Sequence, residues 1–182
     1  GKDVDPLAGF NIDMRWIDPK SEQGKFILEW MPKASRNKHS DMRGGMKIHN
    51  IWAVRQNAHV DGWRKRIKEI ASDKFRISEK ALHQPKSRID IDPLEAPHCE
   101  TSNGSMMLHG TRSVNVPGIL RENLRLPKTL VGVVITGAMF GGGLYWADDW
   151  KKSAGYTSGN SRWGGGSGAV AGRHAFMFVA DT

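Results

Sequence analysis

The chain has 182 residues, with 27 lysines and arginines against 19 aspartates and glutamates, a net charge of +8 and a pI near 9.8. That length suits one domain with a sizeable core, and the single cysteine, Cys99, excludes an internal disulfide framework and favours a reducing compartment. No run approaches the roughly 20 apolar residues of a membrane helix and no signal-peptide pattern is visible, so an intracellular protein, cytoplasmic or nuclear, with no membrane partner is expected.

The chain opens on Gly1 rather than Met, which reads as a processing or cloning boundary. Residues 1–24 are polar and rich in Asp, Pro and Lys, and predict an extended arm with turns at Asp18-Pro19 and Ser21-Glu22-Gln23-Gly24. Phe26-Ile27-Leu28-Glu29-Trp30-Met31 reads as a short apolar strand ended by Pro32, and 33–45 as a basic polar loop. The partial period-two alternation of Met46–Arg55 predicts a half-buried strand. Asp61 is a candidate cap for a helix in which Trp63, Ile67, Ile70 and Ala71 fall at helical spacing. Its outward run Arg64-Lys65-Arg66-Ile67-Lys68 is chiefly a solvated face, with nucleic-acid contact as the alternative. Residues 76–104 lack sustained periodicity, contain Pro85, Pro93 and Pro97, and predict a long surface insertion.

The last third differs in character, with 12 of the 21 glycines between Gly132 and Gly172. Met106-Met107-Leu108 predicts a strand leading into His109-Gly110. A helix follows from Ser113 or Asn115 to about Asn123, with Pro117 in its first turn. Leu124-Arg125-Leu126 reads as a brief strand, 127–139 as a loop, and Leu144-Tyr145-Trp146 as a strand. Asp148 is placed as the N-cap of a helix running through Tyr156. Gly164–Gly168 predicts a flexible loop and Ala175–Val179 a central strand. Strands alternating with short helices, and no internal repeat, give an α+β class.

Two tyrosines are all the chain has, Tyr145 and Tyr156, eleven residues apart and flanking the predicted strand end, turn and helix. With His109-Gly110 upstream they suggest a slot for a flat heteroaromatic ligand. Other clusters carry less chemistry. His98-Cys99 lacks the further ligands of a zinc site, so no metal is expected. Gly164–Gly168 has no following lysine and helix to make a phosphate loop.

Several motifs in order resemble the catalytic domain of the poly(ADP-ribose) polymerase family. They are Leu108-His109-Gly110-Thr111-Arg112-Ser113-Val114-Asn115, Gly118-Ile119-Leu120 and Leu124-Arg125. Thr136-Gly137-Ala138-Met139-Phe140-Gly141-Gly142-Gly143-Leu144-Tyr145-Trp146-Ala147-Asp148 and Lys152-Ser153-Ala154-Gly155-Tyr156 complete the set. The match is close over 106–158 and looser over 46–55 and 174–181. It implies an ADP-ribosyltransferase-like α+β fold, with split mixed or antiparallel sheets flanked by short helices. It also implies an N-terminal arm and first strand in 1–45, and a catalytic domain in 46–182 that carries a 57–104 insertion.

The implied activity is that of an NAD⁺ ADP-ribosyltransferase, a glycosyltransferase moving ADP-ribose from NAD⁺, as co-substrate, to a protein or nucleic-acid acceptor with release of nicotinamide. By the resemblance, His109 holds the adenosine ribose, while the Gly110 backbone and the Ser153 hydroxyl bind the nicotinamide carboxamide. Tyr156 stacks on the nicotinamide, with Tyr145 closing the other side. Thr111, Asn115 and Arg125 lie near the adenosine or phosphates, and Gly143 belongs to the glycine-rich approach. His109, Tyr145 and Tyr156 are the residues expected to carry catalysis. Residues 127–140 match a loop over the donor site. Ala138 and Gly142 stand where relatives often have tyrosine and lysine, so donor-loop or acceptor preferences are expected to differ. The family's further motif residue, commonly glutamate, lies on a later strand than the chain reaches, and a fragment truncated before the last strands is expected, with a natural truncation as the alternative. Two alternatives stand beside this reading: a tRNA 2′-phosphotransferase-like enzyme, which shares the His-Gly-Thr opening, and a catalytically inert NAD⁺-binding or basic structural module.

Overall fold

The computed structural model describes residues 9–35, 46–72, 106–126, 141–157 and 175–181. The expectations for 36–45, 73–104, 127–140 and 164–168, including His98-Cys99 and Ala138, lie outside the described residues. Among the described residues no helix is long and apolar enough to cross a membrane.

The first element corrects the extended arm. Ile12–Trp16 is strand β1, antiparallel to β2, Trp52–Gln56. The alternation of Ile12, Met14 and Trp16 with polar residues satisfies the pleat, and Asp13 lies directly opposite Arg55, with which it pairs ionically. The predicted strand at 46–55 is thereby shortened, since 46–51 are not in a strand.

A second correction is larger. Phe26–Met31 is not a strand but part of helix α1, Glu22–Lys33. Ser21 is its N-cap, its hydroxyl accepting the Gly24 N–H at 3.1 Å. Ile27, Trp30, Met31 and Ala34 recur at helical spacing and all four are buried. Pro32 lies inside the last turn rather than ending the element. Helix α2, Val60–Ser72, starts one residue before Asp61, which therefore occupies the first turn and not the cap. Trp63 N–H donates to the His59 carbonyl at 3.0 Å, so helical bonding begins at His59. The basic side chains Arg64, Lys65, Arg66 and Lys68 are exposed as expected.

Strand β3, Met106–Thr111, pairs antiparallel with β4, Phe176–Asp181, in the register Leu108↔Val179, His109↔Phe178 and Gly110↔Met177. A 3₁₀ turn, Ser113–Asn115, leads into helix α3, Val116–Glu122, with Pro117 at its start. Leu124–Leu126, predicted as a strand, is irregular, because Asn123 turns the chain with φ 66° and its Oδ1 caps the Leu124 N–H at 2.7 Å. Leu144–Trp146 is not a strand either. A single bridge, Leu108↔Ala147, replaces it. Helix α4 spans Trp150–Ala154 and ends before Tyr156. Its N-cap is Asp149, not Asp148: the Asp149 carboxylate accepts the Lys151 N–H at 2.9 Å.

One core joins these parts. Ile27, Trp30, Met31 and Ala34 of the α1 segment pack with Met106 and Leu108 of β3 and with Trp150 of α4. Two carbonyls at the C-terminal end of α1, those of Pro32 and of the cap residue Ala34, are taken up by Trp150 of α4. Trp150 N–H donates to Ala34 O at 2.9 Å and its indole Nε1 to Pro32 O at 3.2 Å. Thus α1, a helix where the apolar run suggests a strand, is what braces α4 against β3.

Candidate functional site

Leu108 organises the site through its backbone. Its N–H donates to Ala147 O at 2.8 Å and its carbonyl accepts Ala147 N–H at 2.9 Å. Both groups therefore face away from β4, and by the period-two alternation of a strand Gly110 presents its N–H and C=O to that same edge. Among the described residues the bridge at Ala147 is the sole strand-type pairing on this edge.

Helix α4 covers the edge beside Gly110. The Ser153 side chain, 3% exposed, donates from Oγ to Leu108 O at 3.0 Å. With its proton committed, the hydroxyl retains lone pairs that can accept an N–H. A Cβ on residue 110 would run into the Ser153 carbonyl oxygen, so glycine there is what permits helix and strand to approach. Side by side, a free-edge N–H, a C=O and a hydroxyl acceptor form a receptor for a planar group that both donates and accepts, such as a primary amide.

His109 points its imidazole toward the 144–148 segment. Nδ1 lies 2.9 Å from Tyr145 O, and because a carbonyl only accepts, Nδ1 carries the proton. In the neutral ring Nε2 is then an acceptor suited to a hydroxyl. The Trp146 ring sits against it, centroids 5.4 Å apart and tilted by 56°. Trp146 was absent from the sequence-based site, and its position between Tyr145 and the bridged Ala147 is the signal that would have included it.

The predicted residues enter the site by different routes. Tyr145 is tied through its carbonyl to His109 and through its hydroxyl to Gly141 O at 2.6 Å, where Gly141 holds φ 89°. Tyr156 follows α4, half-buried, with its N–H on Ser153 O at 3.1 Å. Thr111, buried at the end of β3, accepts from Asn115 Nδ2 at 3.2 Å, which joins the 3₁₀ turn to the strand. These contacts bring His109, Gly110, Tyr145, Ser153 and Tyr156 around one edge, with Thr111 and Asn115 at its end. Arg125 stands apart: it is exposed and paired with Glu122 at 2.9 Å. Gly143 is half-buried in the bend at 141–143 with open space where a Cβ would be. Asp149, beside Asp148 at the start of α4, spends one oxygen on the helix cap.

Comparison with known proteins gives a consistent result. The family model for the poly(ADP-ribose) polymerase catalytic domain matches residues 31–181. Poly [ADP-ribose] polymerase 1 of Gallus gallus is 42% identical over 158 residues, covering 85% of this chain and 12% of that protein. The Xenopus laevis protein of the same name is 42% identical over 144 residues, 79% of this chain and 11% of its own length. Poly [ADP-ribose] polymerase 1 of Arabidopsis thaliana is 45% identical over 62 residues, 34% of this chain and 6% of its own. The chain thus spans 12% or less of the length of these relatives.

Proposed function

The chain belongs to the poly(ADP-ribose) polymerase catalytic-domain family, and from that premise we propose that its β3–α4 edge binds NAD⁺ and supports transfer of ADP-ribose to a macromolecular acceptor. The observation that carries the reading is the Gly110 edge: a backbone N–H and C=O presented beside the buried Ser153 hydroxyl. A nicotinamide carboxamide offers the complementary pattern, its oxygen accepting from Gly110 N–H and its NH₂ donating to Gly110 O and Ser153 Oγ.

On this reading each residue has a physical task. Tyr156 stacks on the pyridinium face and Tyr145 closes the opposite side, holding a flat ring at little rotamer cost. His109 accepts an adenosine-ribose hydroxyl through Nε2. Asn115 and Thr111 serve the adenosine and phosphates, Arg125 joins them from outside the cluster by exchanging Glu122 for a phosphate, and Gly143 lets backbone approach the dinucleotide. The bond that breaks joins nicotinamide nitrogen to ribose C1′. Its electron pair leaves with the ring, which departs as neutral nicotinamide, while C1′ passes through an oxocarbenium-like state. The acceptor's nucleophile bonds to C1′, and its proton passes to solvent or to a base outside the residues assigned here. Rigid seating of the leaving group supplies the orientation part of the rate. None of the residues assigned to this site is a carboxylate, so it accounts for donor binding and leaving-group departure, and acceptor activation falls to other groups.

The test is nicotinamide release and label transfer from NAD⁺ by the intact protein, beside His109→Ala and Tyr156→Ala. Both variants are expected to lose at least about 100-fold in kcat/KM. Equal incorporation by all three proteins defeats the site assignment, and a wild type that releases no nicotinamide defeats the transferase reading.

A further inference from the structure

Gln56, the last residue of β2, reaches across to a different element. Its amide nitrogen donates to two carbonyl oxygens in the last turn of α3, Ile119 at 2.6 Å and Leu120 at 3.1 Å. One primary amide nitrogen carries two N–H bonds, so both contacts form together. Both acceptors belong to the last four carbonyls of the helix, which its own backbone cannot fully satisfy. Ile119 O also accepts the Asn123 N–H at 2.9 Å, so its two lone pairs are both engaged.

Among the described residues the helix is only half-buried at best, at Val116, Ile119, Leu120 and Glu122. It is seven residues long and none of them is buried. A helix this short has no stability of its own in water. Yet it joins two of the residues assigned to the donor site. At its start, Asn115 donates to Thr111 Oγ1. At its end, the Asn123 turn delivers Arg125, held by Glu122. The Asn115 contact fixes the start and Gln56 fixes the finish.

We propose that Gln56 is a positioning residue for the adenosine end of the NAD⁺ site, acting through the last turn of α3; this rests on the donor-site reading above. Its two hydrogen bonds set the bearing of α3, and with it the placement of Asn115 and Arg125. Nothing in the sequence around Gln56 marks it for this task, because the bond spans 63 residues. The contribution is to binding rather than bond cleavage, since the leaving group sits at Gly110 and Ser153, at the other end of the site.

Three substitutions in the intact protein test this. Gln56→Glu sets a carboxylate against two carbonyls and is expected to raise KM for NAD⁺ about tenfold with kcat held within about twofold. Gln56→Ala gives a smaller rise, and Gln56→Lys, whose ammonium donates to both carbonyls, stays near wild type. Amide hydrogen exchange at Asn123 is expected to quicken in the Glu and Ala variants, with exchange at Leu108 and Ala147 unchanged. An unchanged KM in Gln56→Glu, or a parallel fall of kcat with exchange quickened throughout and no rescue by Lys, overturns the proposal. A wild type without turnover defeats the donor-site reading instead, and the Asn123 exchange then still decides whether Gln56 holds the helix.

Discussion

Among the described residues the two small sheets have two strands each and opposite surroundings. In β3 the side chains of Met106 and Leu108 are fully buried, at 1% and 0% exposure. The strand is fixed by the β4 ladder, the Ala147 bridge and the packing of α4. In the β1–β2 sheet one face carries Met14 opposite Val54 and Trp16 opposite Trp52, and all four are exposed, Trp16 to 52%. Its anchors are the buried Ala53 and Ile17, the Ile17–Ile51 backbone bond and the Gln56 tie to α3. The pair teaches where precision is kept. Recognition of a ligand requires groups held to a fraction of an ångström, and the proposed donor site lies on the strand that the core grips from several sides.

That contrast predicts a graded set of effects. The largest belongs to Leu108→Ala, which empties a fully buried position at the centre of the core shared by α1, β3 and α4. A loss of about 3–4 kcal/mol is expected in urea denaturation, with the transition still cooperative. A cost under about 1 kcal/mol contradicts the description of β3 as the gripped strand. Gly110→Ala comes next. The added methyl meets the Ser153 backbone carbonyl rather than a side-chain tip that could swing away. About 2–3 kcal/mol of stability should be lost as α4 is displaced, and NAD⁺ turnover with it. Retention of wild-type KM by Gly110→Ala breaks the link between helix–strand approach and donor binding.

Ser153→Ala is milder in stability and more telling in function. Leu108 O keeps its bond from Ala147 N–H after the hydroxyl is removed, so the buried carbonyl is not orphaned. About 1 kcal/mol of stability is expected to go. NAD⁺ KM should rise by more than that alone implies, because a carboxamide N–H loses its acceptor. If the KM is unmoved, Ser153 serves only to staple α4 to β3.

The legibility of these regions from sequence follows the same divide. Around β3 and α4 the constraints are local and compositional. Glycine is required where a helix meets a strand, and His109, Ser153 and Tyr156 fall with it within the family-like motifs, so the resemblance could single out residues that the fold then sets close together. Two short strands expected there, Leu124–Leu126 and Leu144–Trp146, do not form, and the cap of α4 lies one residue later than expected. Asp148 and Asp149 are both competent caps, and only the turn geometry selects Asp149. In the first half the competing patterns were harder to separate. Phe26-Ile27-Leu28-Glu29-Trp30-Met31 is apolar enough for a strand, and Pro32 looks like its stop. The decisive signal was longer in range: Ser21 as cap, then Ile27, Trp30, Met31 and Ala34 along one helical face. Strand β1 was hidden by its exposed tryptophan and charged neighbours, which resemble a polar arm until Arg55 is placed opposite Asp13. Gln56 was illegible altogether, since a side chain that bonds across 63 residues leaves no local pattern.

The smallest effect is the one that tests the other side of the comparison. Trp16 and Trp52 face each other across β1–β2 at 52% and 43% exposure. Replacing both by threonine keeps residues that favour strands, so the double variant reports burial rather than strand propensity. If this face is as open as its exposure states, each substitution changes stability by no more than about 0.5 kcal/mol, and the pair adds to about 1 kcal/mol when the lost cross-strand contact is included. Tryptophan fluorescence should lose a solvent-exposed component and leave the buried Trp30 and Trp150 emission in place. A cost rivalling that of Leu108→Ala means that the intact protein buries this face, and the two sheets then stand on equal footing. A small cost assigns the stability of the proposed donor site to the α1–β3–α4 core and leaves β1–β2 to bear on it only through the proposed role of Gln56.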